Sequence, residues 1–174
     1  MSDGRVVLIT GGSRGIGLAC ARAFAAEGAT VVAADRDADR LAEVDGLVTM
    51  VADVGSEDGV AELVHRVESE VGPIDLWFSN AGVALGTGLD STADEWDTSW
   101  RVNAMAHVWA ARHVVPRMLE RGHGYVVSTA SAARRWCVTT TITATSTSTT
   151  WNTSTMPSHG ARATRVRPTS RPRP

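Results

Sequence analysis

From Arg5 to Ala133, short β-branched apolar runs alternate with longer stretches in which apolar residues recur every three or four positions. A short continuous apolar run is how a strand buried on both faces reads, and a period near 3.6 marks an amphipathic helix. Strands are predicted at residues 6–10, 30–34, 47–51, 74–79 and 124–129, and helices at 15–27, 38–44, 56–71 and 92–121. Gly28 suits the left-handed residue that closes the first helix, and Gly72-Pro73 stops the third. In 56–71, Ser56 is placed to cap the helix, Glu57 and Asp58 suit its first turn, and Val60, Leu63, Val64 and Val67 form an apolar stripe. In 92–121, Trp96, Trp100, Asn103, His107, Ala110, Ala111 and Val114 fall at helical spacings, with Pro116 near a bend. Strands joined by helices of this length build a parallel sheet, and right-handed crossovers favour a doubly wound one. The expected fold is α/β: a Rossmann-like doubly wound parallel sheet, truncated at about five strands, with a disordered C-terminal tail.

The order ends abruptly. Residues 139–155 are mostly threonine and serine without an apolar period, 160–174 mix Arg, Pro and Thr, and no leucine follows Leu119. Such sequence buries too little apolar surface to offset chain entropy. Two segments are therefore expected: a domain over 1–133 and a low-complexity tail over 134–174, disordered or the product of a frameshift. Charge divides similarly. Residues 1–120 hold nine arginines and all 19 acids, a net charge of −10, whereas 121–174 hold eight arginines and no acid, a net charge of +8. There is no lysine, and Tyr125 is the single tyrosine.

No apolar run approaches the ~18 residues of a membrane helix, and the N-terminus is too short for a secretory leader. Cys20 and Cys137 lie far apart without CxxC spacing. These features predict a cytoplasmic protein with reduced thiols. No metal site is expected. The five histidines lack ligand spacing, and Asp35, Asp37 and Asp39 open like a calcium loop that then lacks its sixth-position glycine, with Gly46 where the bidentate Glu belongs. The six tryptophans read as packing residues and the arginine-rich end as an unstructured tail, so neither nucleic acid nor membrane is an expected partner.

Chemistry concentrates after the first strand. Thr10-Gly11-Gly12-Ser13-Arg14-Gly15-Ile16-Gly17 follows an apolar run and precedes a helix, the setting of a dinucleotide-binding turn. Gly11 permits the bend, Gly15 lets the backbone approach a pyrophosphate, and Gly17 allows the helix to pack closely on the sheet. Ser13, Arg14 and Ile16 complete the turn, whose helix points free N–H groups at the phosphates. Asp35, eighteen residues after Gly17, stands where a carboxylate would accept both adenosine ribose hydroxyls and repel a 2′-phosphate. NAD is therefore favoured over NADP, with Arg14 and Arg36 arguing mildly the other way.

These residues resemble the short-chain dehydrogenases/reductases. The family's Thr-Gly-x-x-x-Gly-x-Gly turn is matched by Thr10 to Gly17, and its Asn-Ala-Gly segment by Asn80-Ala81-Gly82. Asp53-Val54 is similar to the pair the family places against adenine, Asn103 to its proton-relay residue, and Ser131, at the end of the fifth strand, to its catalytic serine. The resemblance covers roughly residues 5–133. It implies an NAD(P)-dependent oxidoreductase moving a hydride between nicotinamide and a small alcohol or carbonyl substrate, in which Ser131 polarises the carbonyl and Asn103 supports a water relay. It also implies possible homo-oligomers through the long helix.

Each residue has a plainer reading as well. Asn80 can simply tie strands together, Asp53 can close a turn, and Asn103 can be an ordinary polar helix residue. The family's Tyr-x-x-x-Lys pair is missing. Spacing from Ser131 would put it near Ala144 and Ser148, and Tyr125 lies upstream of the serine. General acid–base catalysis contributes ~100 to 10,000-fold, so a chain without the pair is expected to be catalytically impaired. The alternative function is a non-catalytic dinucleotide- or partner-binding module. An open edge at the fifth strand and an unpaired helix face predict low solubility.

Overall fold

A computed structural model describes residues 4–86, 88–132, 136–145 and 148–156, with side chains through Ala130. The chain alternates β1 (Val6–Thr10), α1 (Gly15–Ala26), β2 (Thr30–Asp35), α2 (Ala38–Ala42), β3 (Val48–Val51), α3 (Glu57–Glu70) and β4 (Ile74–Ser79). It continues through α4 (Ala93–Trp100), a π-helical turn (Arg101–Met105), α5 (Ala106–Arg121) and β5 (Tyr125–Ala132). The five strands are parallel in the order β3-β2-β1-β4-β5, with the order reversing between β1 and β4. The expected doubly wound sheet is thus present.

All five residues of β1 are buried, because helices cover both faces of the sheet. Alternation sends Val6 and Leu8 into a core with Val60, Leu63, Val64 and Val67 of α3 and Ala110, Val114 and Met118 of α5. Val7 and Ile9 point the other way, onto Ala21 and Phe24 of α1. The β1–β4 register slips between Val6 and Val7, and the Asp75 carboxylate accepts the Val6 N–H there at 2.9 Å. Ion pairs brace α3 against α5: Glu57 with Arg112 at 2.7 Å, and Glu68 with Arg117 at 2.9 Å and Arg121 at 3.3 Å. The Ser56 hydroxyl accepts the Gly59 N–H at 3.1 Å, the expected cap.

Two expectations are modified. The single helix predicted over 92–121 is interrupted by the π turn at 101–105, ahead of α5. The tail also differs: β6 (Trp136–Thr145) and β7 (Ser148–Met156) form an antiparallel hairpin paired to β5, so the open edge lies at β7 and not at β5. Threonine is β-branched and suits extended backbone even where no apolar alternation announces a strand. Residues 157–174 of the expected tail lie outside the described residues.

The packing role expected of tryptophan holds for Trp77, 1% exposed, but not for Trp96 and Trp100, 54% and 63% exposed. Helix α4 buries only Ser99, whose hydroxyl donates to the Leu85 carbonyl at 2.5 Å. Among the described residues, no helix is long and apolar enough to cross a membrane, and no cluster of three His, Cys, Asp or Glu could hold a metal ion.

Candidate dinucleotide-binding site

The C-terminal ends of β1 to β5 open onto a cleft of about 650 Å³. Eleven of the predicted cofactor residues line it: Gly11, Arg14, Gly15 and Ile16 on the first turn, Asp35 and Arg36 after β2, Asp53 and Val54 after β3, and Asn80, Ala81 and Gly82 after β4. Ser13 and Gly17, both buried, do not line it; they shape the turn from behind.

The turn's geometry follows from its glycines. Gly11 (φ +65°) brings the backbone so near the β4 loop that a Cβ would sit 2.9 Å from Ala81 Cα. Gly15 (φ +55°) faces open space, with nothing within 4 Å of an added Cβ. The reason for Gly17 differs from the expected one. A Cβ there would overlap the Gly11 carbonyl oxygen and crowd the Asn80 Nδ2, so Gly17 serves closure of the turn and not helix–sheet packing. No side chain caps α1 and no acid stands in its first turn, so its N–H groups and positive dipole end face the cleft uncompensated. A diphosphate fits there: open space over Gly15 meets a helix end that lacks an anion.

Asp35 closes the turn onto β2. Its Oδ2 accepts the Ser13 hydroxyl at 2.6 Å and the Ser13 N–H at 3.3 Å, and its Oδ1 accepts the Asp37 N–H at 3.3 Å. A carboxylate offers about four acceptor positions, so room remains for a ribose hydroxyl. Arg14, Arg36 and Arg40 stand at the same end of the cleft. Asp53 accepts the Gly55 N–H at 2.8 Å, a strand-end turn that also forms the cleft wall.

Asn80 ties three strand ends together. Its Nδ2 donates to the Thr10 carbonyl at 3.2 Å and the Gly11 carbonyl at 3.4 Å, and its Oδ1 accepts the Thr129 hydroxyl at 3.2 Å. Thr10 Oγ1 accepts the N–H groups of Asn80 and Ala81 at 3.0 and 3.1 Å. Asn103 lies in the π turn, a feature frequent at functional sites, and binds the Val83 backbone twice, accepting its N–H and donating to its carbonyl, each at 2.8 Å. That clamp fixes the loop leaving β4. Burial lowers the His107 pKa below the ordinary imidazole value, partly offset by the Asn103 backbone carbonyl.

Of the predicted catalytic residues, Asn103 is not among the residues lining the cleft, and the Ser131 side chain lies outside the described ones. Ser131 lies on β5 with its backbone opposite Cys137 of β6. Tyr125 is six residues earlier on β5, about 20 Å at the rise of a strand, too far to serve Ser131. Positions 144 and 148 fall on separate strands, β6 and β7, and not one turn apart on a helix. Sequence reasoning placed Thr10 in the turn without a role for its hydroxyl, which holds the β4 loop, and missed Thr129, whose hydroxyl donates to Asn80, and Arg40, which lines the cleft from α2. Strand-end position was the available signal for the threonines.

Five parallel strands, a glycine turn running into an uncapped helix, and a cleft where the strand order reverses define a Rossmann-type α/β fold with its site at the topological switch point. The sequence profile of the short chain dehydrogenase family matches residues 5–146, and the chain belongs to that family. The match ends between positions 144 and 148, beyond the break expected at 133.

A short chain dehydrogenase of Pseudocercospora fijiensis is 34% identical over 145 residues, covering 77% of this chain and 47% of that protein. L-sorbose reductase of Gluconobacter frateurii, solved with NADPH and L-sorbose, is 36% identical with a TM-score of 0.68, covering 76% of this chain and 55% of that one. A metagenomic short-chain oxidoreductase in complex with NADP is 30% identical with a TM-score of 0.70, covering 76% of this chain and 65% of that one. The chain spans about half the length of the curated relatives it matches.

Proposed function

We propose that this chain binds a nicotinamide adenine dinucleotide in the cleft, as the cofactor half of an oxidoreductase of the short-chain dehydrogenase/reductase type, and that the chain as written binds without useful turnover. The observation that carries the proposal is the uncapped start of α1 beneath the open Gly15 backbone. Bound, the dinucleotide would supply hydride chemistry toward a small alcohol or carbonyl. The chain's own part is positional. The α1 turn holds the phosphates, Asp35 and Arg36 flank the adenosine ribose, Asp53 and Val54 border the adenine, and Asn80-Ala81-Gly82 forms the far wall. Asn103 holds the β4 loop through Val83.

The NAD preference expected from Asp35 finds no support in the relatives, two of which were solved with NADPH or NADP. Arg14, Arg36 and Arg40 at the adenosine end would suit the phosphorylated form, so the proposal covers either dinucleotide. Impaired catalysis rests on the missing Tyr-x-x-x-Lys pair, since Ser131 and Asn103 alone supply no proton donor matched to a carbonyl.

Titration with NADH and with NADPH, followed by quenching of tryptophan fluorescence, tests the binding reading; it fails if neither titration saturates. A panel of alcohols and ketones assayed at 340 nm tests the rest, and clear turnover would overturn the claim of impairment. Translating the coding DNA through codons 125–174 in all three frames separates a frameshifted enzyme, which regains the Tyr-x-x-x-Lys motif in another frame, from a genuine binding module.

A further inference from the structure

We propose that copies of this chain join head to tail, the apolar stripe exposed on α4 and α5 of one copy packing onto a bare face of β4 and β5 on the next. The bare face follows from topology. Right-handed crossovers running from β1 to β2 and β3 put α1 and α2 on one face of the sheet; those running the other way, to β4 and β5, put α3 and α5 on the opposite one. Over β4 and β5 the α1 face therefore receives no helix among the described residues, since a hairpin follows β5 instead of a crossover. These strands are apolar on both faces all the same. Trp77 and Val126 are buried under α3 and α5, whereas Leu76, Phe78 and Val127 are half-buried and Tyr125 is 40% exposed. Leu76 pairs with Tyr125 and Phe78 with Val127, so the four lie side by side on the uncovered face. Leu76 and Phe78 touch the α1 core only at its margin.

The complement stands on the same chain. Trp96, Trp100 and Val108 are 54%, 63% and 48% exposed, and with Ala104 they recur every four residues, one stripe running from α4 through the π turn into α5. Its length, about 18 Å at the rise of a helix, matches the ~20 Å of a six-residue strand such as β4, and a helix ~10 Å across matches the width of two strands. The stripe cannot cover the bare face of its own copy, because α5 packs on the other side of the sheet. Residues 157–174 cannot supply a substitute, since Ala161, Ala163 and Val166 are their only apolar residues beside four prolines. A second copy fits both surfaces at once. The two tryptophans bring on the order of 300 Å² of exposed surface toward the ~800 Å² per partner of a standard interface, which sets association in the micromolar range. Because the two surfaces differ, each pairing leaves one stripe and one face free, and further copies add to the ends.

The test is sedimentation velocity of the full chain across the micromolar range, comparing the unaltered chain with Trp100→Glu, which breaks the stripe, and Tyr125→Glu, which breaks the bare face. Circular dichroism establishes that both variants fold, and Trp96→Glu or Tyr125→Lys replaces one that does not. The mean mass of the unaltered chain should rise past that of a dimer with concentration. Each variant alone should stay monomeric, its association weakened at least about tenfold by a charge set against an apolar partner. An equimolar mixture of the two should form dimers and nothing larger, because one intact stripe then meets one intact face. The proposal is overturned if the unaltered chain stays monomeric or if the mixture does. It is overturned equally if Tyr125→Glu associates like the unaltered chain, the result expected of helix-to-helix pairing, or if Trp100→Glu does, the result expected of pairing through the sheet alone.

Discussion

Replacing Asn80 by alanine separates its two readings, a tie between strand ends and a contact for a bound dinucleotide. The substitution removes three side-chain hydrogen bonds, at 3.2 Å to the Thr10 carbonyl, 3.4 Å to the Gly11 carbonyl and 3.2 Å from the Thr129 hydroxyl. The longest lies outside the usual range for N–H···O and adds little. The other two, at about 1 kcal/mol each, set the expected loss near 2 kcal/mol. The bonds from the Asn80 and Ala81 N–H groups to Thr10 Oγ1 are made by backbone and survive. With a urea slope of about 1–3 kcal/mol per molar, the midpoint should fall by roughly 1 M, read from the fluorescence of buried Trp77. Asn80→Asp should destabilise more, because it sets a carboxylate oxygen against the two carbonyls. Thr129→Val in the Asn80→Ala background should cost less than in the unaltered chain, the difference being about 0.5–1 kcal/mol. The reasoning is refuted if Asn80→Ala loses under about 0.5 kcal/mol, or if it abolishes NADH binding with the midpoint unchanged.

Three further outcomes are expected. Gly15→Ala should cost about 1–2 kcal/mol for its left-handed backbone alone, and Gly17→Ala should cost more, because its Cβ meets backbone that cannot move aside; equal urea midpoints would contradict this. His107 has a depressed pKa in the folded state, so below its ordinary value near 6.5 the unfolded chain binds the extra proton and stability falls as pH falls. His107→Leu should flatten the change in urea midpoint between pH 7.5 and 5.5, and an unaltered pH profile would show that burial at His107 is not its source. Writing tyrosine and lysine at positions 144 and 148 should not create NAD(P)-dependent turnover, since those positions lie on two facing strands; measurable activity would mean that the segment folds otherwise.

The parts of the fold that could be read in the sequence are those whose physics is local. The β1–α1 turn announced itself because glycines with positive φ, a buried strand and a helix must follow one another within about a dozen residues. Ser56 and the stripe from Val60 to Val67 were equally plain, a cap and a periodicity inside one helix. What joins distant segments was not readable. The Glu57–Arg112 pair spans 55 residues, and the Asp35 carboxylate turns back to Ser13 only after the β2–α1 contact forms. The purpose of Gly17 was missed for the same reason, since its neighbours are Gly11 and Asn80, the latter brought in from β4. Strands β6 and β7 went unseen because a strand rich in threonine carries no alternation between a core face and a solvent face.

Binding and chemistry are separable in this fold because they draw on different stretches of chain. Among the described residues, every group lining the cleft comes from residues 11–129, and the α1 cradle is built from the first turn and the β4 loop. The groups that would move a proton belong, by family resemblance, to a helix after Ser131, where this chain places a hairpin instead. Phosphate recognition needs only backbone N–H groups, an uncapped dipole and arginines, and none of these depends on a tyrosine of lowered pKa. On the proposed reading, a sheet that keeps this switch point without the family's Tyr-x-x-x-Lys pair should show dinucleotide affinity without useful turnover. Loss of both together would mean that the hairpin disturbs the strand ends themselves, starting with the Thr129–Asn80 bond on β5.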